Sequence, residues 1–222
     1  MPKISDEDAA TRRIRLKTTV ALPWSFLRRL IDERLFFGPG TAAKLYLTLY
    51  AMRPVTEIQV EVTYRSLGRQ VLGSERDPET GHKALSTAMA KLERNGLVRI
   101  ARRGGQDNLF TLESIPIPIA NQWVTANLWK RDYLKRWSGA ELLLYLLLSP
   151  RSSRVSRRGQ PNAGVFQKMS TVAEDAGLSL PTLRNAWQTL VEEGIVTTIR
   201  KDGERWASLI NPELWPKAEP GL

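Results

Sequence analysis

The sequence of 222 residues contains no cysteine and a single histidine, His82. Without thiols the chain forms no disulfides and no thiolate metal sites, and one imidazole does not make a histidine-ligated metal centre. The phosphate-binding patterns GxxxxGKS and GxxxxGKT are missing as well, and the acidic residues are scattered along the chain. We therefore expect no enzymatic activity, no metal site and no cofactor.

Long apolar runs are also missing, because the longest is LLLYLLL at 142–148. A membrane-spanning helix needs about 20 apolar residues. The N-terminal stretch MPKISDEDAATRRIRLK is polar and lacks the apolar segment of a secretory signal. These two absences predict a cytoplasmic protein with no membrane partner.

Acidic residues are outnumbered by basic ones, which gives the chain a net charge of +10. There are 19 basic and 13 acidic residues in 1–113, and 14 basic and 10 acidic residues in 114–222. The positive charge is therefore a property of both halves rather than of one tail. A basic surface of this kind indicates a polyanionic partner, most often nucleic acid. The alternative interpretation is a solvated surface whose charge keeps the protein in solution.

A weak internal repeat divides the chain into two units. The leucine-rich stretch GTAAKLYLTLY (40–50) aligns with GAELLLYLLLS (139–149). Further along, LSTAMAKLERNGLVRI (85–100) aligns with LRNAWQTLVEEGIVTT (183–198) without a gap. The same sequence of elements is therefore expected twice.

Each unit is predicted to contain three helices and then a two-stranded β-ribbon. The ribbons lie at 99–112 and 197–210, and each unit is preceded by a short extended run, VALPWSFL (20–27) or IPIPIANQW (115–123). The Arg- and Ser-rich segment at 149–164 lacks apolar periodicity and is predicted to be a loop between the first two helices of the second unit.

The third helix of each unit has apolar residues at helical spacing. Its stripe consists of Leu85, Ala88, Met89 and Leu92 in the first unit, and of Leu183, Ala186, Trp187 and Leu190 in the second. Ser179 is predicted to cap the N-terminus of the second of these helices. Gly96 and Gly194 are predicted to end the two helices in the left-handed conformation, where glycine has no steric cost.

This order of elements resembles the winged helix-turn-helix superfamily of DNA-binding domains. The resemblance lies in TVAEDAGLSLPTLRNAWQTLVEEGIVTTIRKDGERW (171–206) and in TYRSLGRQVLGSERDPETGHKALSTAMAKLERNGLVRIARRGGQDNLF (63–110). In the first unit a longer charged turn separates helices two and three, and His82 comes just before helix three. The fold class implied is α+β, mainly α with small β-wings, built from two tandem winged-helix domains. The predicted boundaries are 1–16 for a basic N-terminal arm, 17–113 and 114–215 for the two domains, and 216–222 for a C-terminal tail.

In this superfamily the exposed face of helix three enters the major groove of DNA. The resemblance therefore implies that base readout comes mainly from Thr182, Arg184, Asn185 and Gln188 of the second unit. Arginine can form a fork with guanine, and asparagine or glutamine with adenine. The matching face of the first unit carries Ser86 and Thr87 between two alanines, Ala84 and Ala90. Those smaller side chains are expected to distinguish fewer bases.

Basic residues near these helices are candidates for contacts with the phosphate backbone. They are Lys83 and Lys91 beside helix three of the first unit, Arg102 and Arg103 in the first wing, Arg200, Lys201 and Arg205 in the second wing, and Arg151, Arg154, Arg157 and Arg158 in the loop.

The resemblance implies a protein that binds double-stranded DNA, in the first place a transcriptional regulator associated with the nucleoid or a plasmid. The layout of two winged helices in one chain is also similar to plasmid replication initiators, which bind direct repeats at an origin. A third alternative is a winged-helix scaffold for contacts between proteins. The sequence leaves the oligomeric state open between a monomer and a homodimer.

Overall fold

The computed structural model describes residues 20–53, 58–72, 78–101, 108–113, 123–126, 133–152, 165–202 and 205–210. The first unit opens with strand β1 (Val20–Pro23), which runs directly into helix α1 (Trp24–Asp32). It continues with α2 (Thr41–Met52), β2 (Gln59–Val62), α3 (Tyr64–Val71), α4 (Pro78–Arg94), β3 (Val98–Ala101) and β4 (Asn108–Leu112).

The second unit has the same order of elements. It consists of β5 (Trp123–Ala126), α5 (Tyr133–Arg136), α6 (Gly139–Ser152), β6 (Val165–Lys168), α7 (Met169–Ala176), α8 (Leu180–Glu192), β7 (Val196–Asp202) and β8 (Arg205–Ile210). Across the described residues the chain is mainly helical with small antiparallel sheets, so the predicted α+β class is confirmed. None of the described helices is long and apolar enough to cross a membrane.

Each ribbon is part of a three-stranded sheet, so the prediction of two strands per unit is wrong. The strand orders are β2-β4-β3 and β6-β8-β7, all antiparallel. The extra strands are four residues long and lie between the first and second predicted helices. In β2 the residues alternate between exposed and buried, and Val60 lies opposite the fully buried Phe110 of β4. A strand this short is stabilised by pairing with its neighbour, a contact that local sequence does not encode.

Helix α4 begins at Pro78, so the prediction that His82 comes just before this helix is wrong. Proline is tolerated in the first turn of a helix because the amide hydrogen it lacks would have no partner there. His82 lies inside the helix, exposed, with its ring centroid 6.0 Å from that of Tyr64.

Helix α6 extends to Ser152, and the predicted loop therefore starts later than residue 149. The hydroxyl of Ser149 donates a hydrogen bond to the backbone carbonyl of Tyr145 at 2.8 Å, one turn earlier. The rest of the predicted loop, 153–164, lies outside the described residues. So does most of the extended run predicted at 115–123, whose last residue, Trp123, is the first residue of β5.

Buried apolar side chains of both units form one continuous cluster. Helix α2 contributes to it on all sides, since every residue from Ala42 to Met52 is buried. In α6 residues 142–148 are equally buried. These two leucine-rich helices form the centre of the core, as their lack of a polar face predicts.

The two units meet through equivalent elements. Strand β1 pairs antiparallel with β5, and the backbones of Gly40 and Gly139, which the repeat aligns, come into direct contact. Helix α3 packs against α5, and reciprocally Arg28 of α1 donates a hydrogen bond to the Asp175 carbonyl of α7 at 3.2 Å. Crossed contacts between equivalent elements are the pattern of an approximate two-fold axis, here within one chain.

Helix α6 starts at this junction with a capping box. The backbone N–H of Ser138 donates to the Glu141 carboxylate, and the N–H of Glu141 faces the Ser138 hydroxyl at 3.5 Å. The amide of Gly139 donates to the carbonyl of Gly38 at 3.1 Å. The start of α6 is thereby fixed against the turn that precedes α2.

The buried phenol of Tyr46 is expected to make the stability of the protein depend on pH in the alkaline range. Its hydroxyl is buried without a hydrogen-bond partner among the described residues, and burial raises the pKa of this phenol. Above about pH 10 the unfolded chain loses this proton while the folded chain keeps it, so stability falls by about 1.4 kcal/mol per pH unit. Tyr46→Phe is expected to remove this part of the alkaline instability and to gain about 1 kcal/mol at neutral pH. Urea unfolding of both proteins between neutral and alkaline pH measures this difference in stability. If the free energy of unfolding fell equally with pH in both proteins, the expectation would be contradicted.

Candidate nucleic-acid interface

The N-terminus of α8 is fixed by local side chains. Helix α7 ends at Gly177 in the left-handed conformation, and Ser179 follows as the N-cap of α8. The Ser179 hydroxyl accepts a hydrogen bond from the Thr182 amide at 3.3 Å, and Pro181 occupies the first turn. The predicted cap is therefore confirmed.

A buried stripe determines which side chains of α8 remain free. Leu183, Ala186, Trp187 and Leu190 are buried, as predicted. The four candidates for base readout, Thr182, Arg184, Asn185 and Gln188, are exposed together on the remaining surface of the helix. We call these four residues the polar face of α8.

One hydrogen bond holds a side chain of this polar face, and a second lies beside it. The Gln188 side-chain amide donates to the Glu192 carboxylate at 2.8 Å, one turn further along. The Thr189 hydroxyl donates to the Asn185 backbone carbonyl at 3.1 Å, so the Asn185 side chain itself is not used in that bond. Of the four candidate side chains, Gln188 is thus held by a contact within the helix.

The corresponding surface of α4 has a different character. Ser86, Thr87 and Ala90 are exposed, and the predicted stripe on the opposite side is buried. Lys83 is exposed, whereas Lys91 is half-buried and donates from its Nζ to the backbone carbonyl of Arg34 at 2.6 Å. Lys91 therefore also joins α4 to the turn after α1.

The remaining basic candidates are only partly placed. Arg200 and Lys201 lie in β7 and Arg205 in β8, with Lys201 opposite Trp206 and an irregularity in pairing between Thr198 and Arg200. Arg151 lies in the last turn of α6. The structure does not describe the other five, and their predicted phosphate contacts stay predictions: Arg102, Arg103, Arg154, Arg157 and Arg158.

Both joints between helix and sheet have the predicted geometry. Gly96 and Gly194 have φ values of 68° and 69°, in the left-handed region. The next residues lead into β3 and β7. Each sheet is therefore held directly beyond the end of α4 or α8.

Sequence reasoning missed the role of Glu193 at the end of α8. Its carboxylate accepts hydrogen bonds from the Arg136 guanidinium and, at 2.9 Å, from the Trp137 indole N–H. In the first unit Arg29 of α1 makes the equivalent connection, because it donates to the Asn95 carbonyl at 3.3 Å and to Glu113 at 2.6 Å. No local signal reveals such contacts, because the partners lie more than 50 residues apart.

Glu193→Ala is expected to destabilise the protein by about 1–3 kcal/mol, because the Trp137 indole N–H would lose its acceptor. The exposed ion pair to Arg136 adds little to this value. Urea unfolding measures the change, and Glu174→Ala, which removes an exposed carboxylate from α7, is the control. Equal stability of the two variants would show that the contact does not hold the helix end.

The described part of the chain contains no group of three or more histidine, cysteine, aspartate or glutamate residues placed to hold a metal ion. The arrangement instead offers exposed amide, guanidinium and hydroxyl groups on a firmly anchored helix, which are groups that form hydrogen bonds to base edges. No protein-family model matches the chain, and no curated protein or solved structure matches it significantly.

Proposed function

We propose that this protein binds double-stranded DNA in a sequence-dependent manner, with α8 in the major groove and the adjoining sheet as a wing. The two units would then be tandem winged-helix domains. The observation that carries the proposal is the polar face of α8, which is exposed as a group opposite a fully buried stripe.

The chemistry of that face suits base readout. Arg184 is exposed and offers a planar fork for guanine, and Asn185 and Gln188 offer a donor and an acceptor for adenine. None of these four residues is acidic, but the carboxylate of Glu192 lies beside them, one turn further along, and accepts a hydrogen bond from Gln188. The carboxylate of Glu193 is paired with the Arg136 guanidinium and the Trp137 indole, so its charge is partly neutralised.

The order of elements around α8 supports the same proposal. Helix α7 ends in a tight turn, α8 follows at once, and a glycine joint leads from α8 into β7 and β8. Arg200 and Lys201 lie in β7, and Arg205 is the first residue of β8. In a winged helix such residues contact the phosphate backbone while the helix reads bases.

The first unit would play a lesser part in specificity. Its exposed α4 surface carries short side chains, Ser86 and Thr87, together with Lys83. Such a surface suits contact with the backbone and offers fewer groups to base edges.

The biological role proposed first is that of a transcriptional regulator associated with the nucleoid or a plasmid. A replication initiator is the second candidate, and the observation that favours it is the joining of two equivalent units in one core. Both roles require the same DNA-binding surface and differ in where the binding sites lie.

Selection of bound fragments from the native genome, followed by footprinting at physiological salt, tests the proposal. We expect one short sequence to be enriched, with affinity that falls steeply as salt rises because phosphate contacts release counterions. Sites at promoters would support the regulator, and an array of direct repeats beside an AT-rich segment would support the initiator. Weak binding without any enriched sequence would contradict sequence-dependent recognition.

A further inference from the structure

The contact between Gln188 and Glu192 determines how the Gln188 amide is oriented. The two atoms, Nε2 and a carboxylate oxygen, lie 2.8 Å apart across one turn of α8, and both side chains are exposed. A carboxylate only accepts hydrogen bonds, so the NH₂ group of the amide must face Glu192. The need for a donor therefore determines which end of the amide, nitrogen or oxygen, faces Glu192.

This contact leaves the amide with an unused pair of groups. An amide nitrogen carries two hydrogens, and Glu192 takes one of them. The second hydrogen and the carbonyl oxygen of the exposed Gln188 side chain remain available as a donor and an acceptor. That donor–acceptor pair is the one that matches N7 and the N6 amino group of adenine in the major groove.

We propose that Glu192 is a specificity-determining positioning residue, which orients Gln188 for adenine and does not itself contact a base. The inference rests on the proposed DNA-binding function of α8. A side chain already held in one orientation loses less rotational freedom when it binds, which favours the base that this orientation fits.

The same carboxylate has an opposite effect on affinity. Glu192 is exposed in the last turn of α8, where a helix in the major groove comes close to the phosphates, and like charges repel. Glu192 therefore lowers affinity for every DNA sequence while it raises the preference for adenine at one position.

The first unit lacks this arrangement. The repeat aligns Gln188 with Ala90 and Glu192 with Arg94, so neither the amide nor the carboxylate is present there. Glu93, exposed in the last turn of α4, has the buried Met89 one turn before it and no amide to orient. Glu93 thus provides a matched control for the effect of charge alone.

Four variants separate positioning from charge: Glu192→Gln, Glu192→Ala, Gln188→Ala and Glu93→Gln. Each is measured by equilibrium binding to the selected site and to the same site with every base pair changed in turn, at two salt concentrations. Gln188→Ala identifies the base pair that Gln188 reads, as the position at which discrimination is lost.

At that base pair Glu192→Ala is expected to reduce discrimination by roughly threefold to tenfold. Glu192→Gln keeps a carbonyl acceptor for the Gln188 amide, so discrimination should be retained while affinity for all sequences rises, more at low salt. Glu93→Gln should change affinity without changing discrimination at any position. In the Gln188→Ala background, Glu192→Ala should have no further effect on discrimination.

Unchanged discrimination in Glu192→Ala, beside a clear loss in Gln188→Ala, would overturn the positioning role and leave the proposed function intact. Loss of discrimination in Glu192→Gln equal to that in Glu192→Ala would also overturn it, because the acceptor would then be irrelevant. If neither Gln188→Ala nor Arg184→Ala alters discrimination anywhere, α8 does not read bases and the proposed function itself fails.

Discussion

Replacing Gly139 by alanine is expected to destabilise the protein by about 4 kcal/mol, among the largest effects of a single substitution. A Cβ at this position would lie 1.8 Å from the Phe36 carbonyl oxygen, 2.7 Å from the Phe36 carbonyl carbon and 2.9 Å from the Gly40 Cα. All three atoms belong to the backbone, so no side chain can rotate away to relieve the overlap. The two units would have to separate at the junction where β1 and β5 also meet.

Gly81→Ala is the matched control for this prediction. Its Cβ would meet the Leu72 Cδ1 at 3.6 Å, an ordinary contact, and the interior of a helix favours alanine over glycine by about 1 kcal/mol. The control should therefore be slightly more stable than the natural protein, whereas Gly139→Ala should be much less stable. Thermal and urea unfolding measure both. A Gly139→Ala protein of natural stability would mean that the two units do not pack as closely as described.

Arg184→Ala is expected to weaken binding to the selected DNA site by about 2 kcal/mol, roughly thirtyfold, with little change on unrelated DNA. Arg184 is exposed on the polar face of α8, between Leu183 and Asn185, and only arginine offers two parallel donors to guanine. The loss should be confined to one or two base pairs of the site.

Arg184→Lys distinguishes base readout from charge. Lysine keeps the positive charge but not the planar fork, so a base-reading role predicts that most of the discrimination is lost in this variant as well. Equilibrium binding to the site and to its single-base variants at fixed salt provides the comparison. Full discrimination in the lysine variant would assign Arg184 to the phosphate backbone.

Features that depend on neighbouring residues could be predicted from the sequence. The buried stripes of α4 and α8 follow from apolar spacing, and the cap at Ser179 follows from a hydroxyl that reaches the third amide of the helix. Gly96 and Gly194 end their helices as predicted, because a left-handed residue without a Cβ has no steric cost.

Features that depend on distant residues could not be predicted. The third strand of each sheet is four residues long and is defined by its pairing with β4 or β8. Glu193 gives no local sign that it binds Arg136 and Trp137, and Lys91 gives none that it binds the Arg34 carbonyl. For the candidate site, the exposed residues could therefore be named from the pattern, while the contacts that hold and orient them required the fold.

The junction at Gly40 and Gly139 has a consequence for how this protein can evolve. In a symmetric pair of identical subunits, one mutation changes both halves, and both must tolerate it. Here the two halves are encoded by separate codons of one gene, so each can be selected by itself as long as the glycines at the junction are kept. Ala90 against Gln188, and Arg94 against Glu192, are differences of this kind. A change in either surface can thus arise in a single mutational step without altering the other.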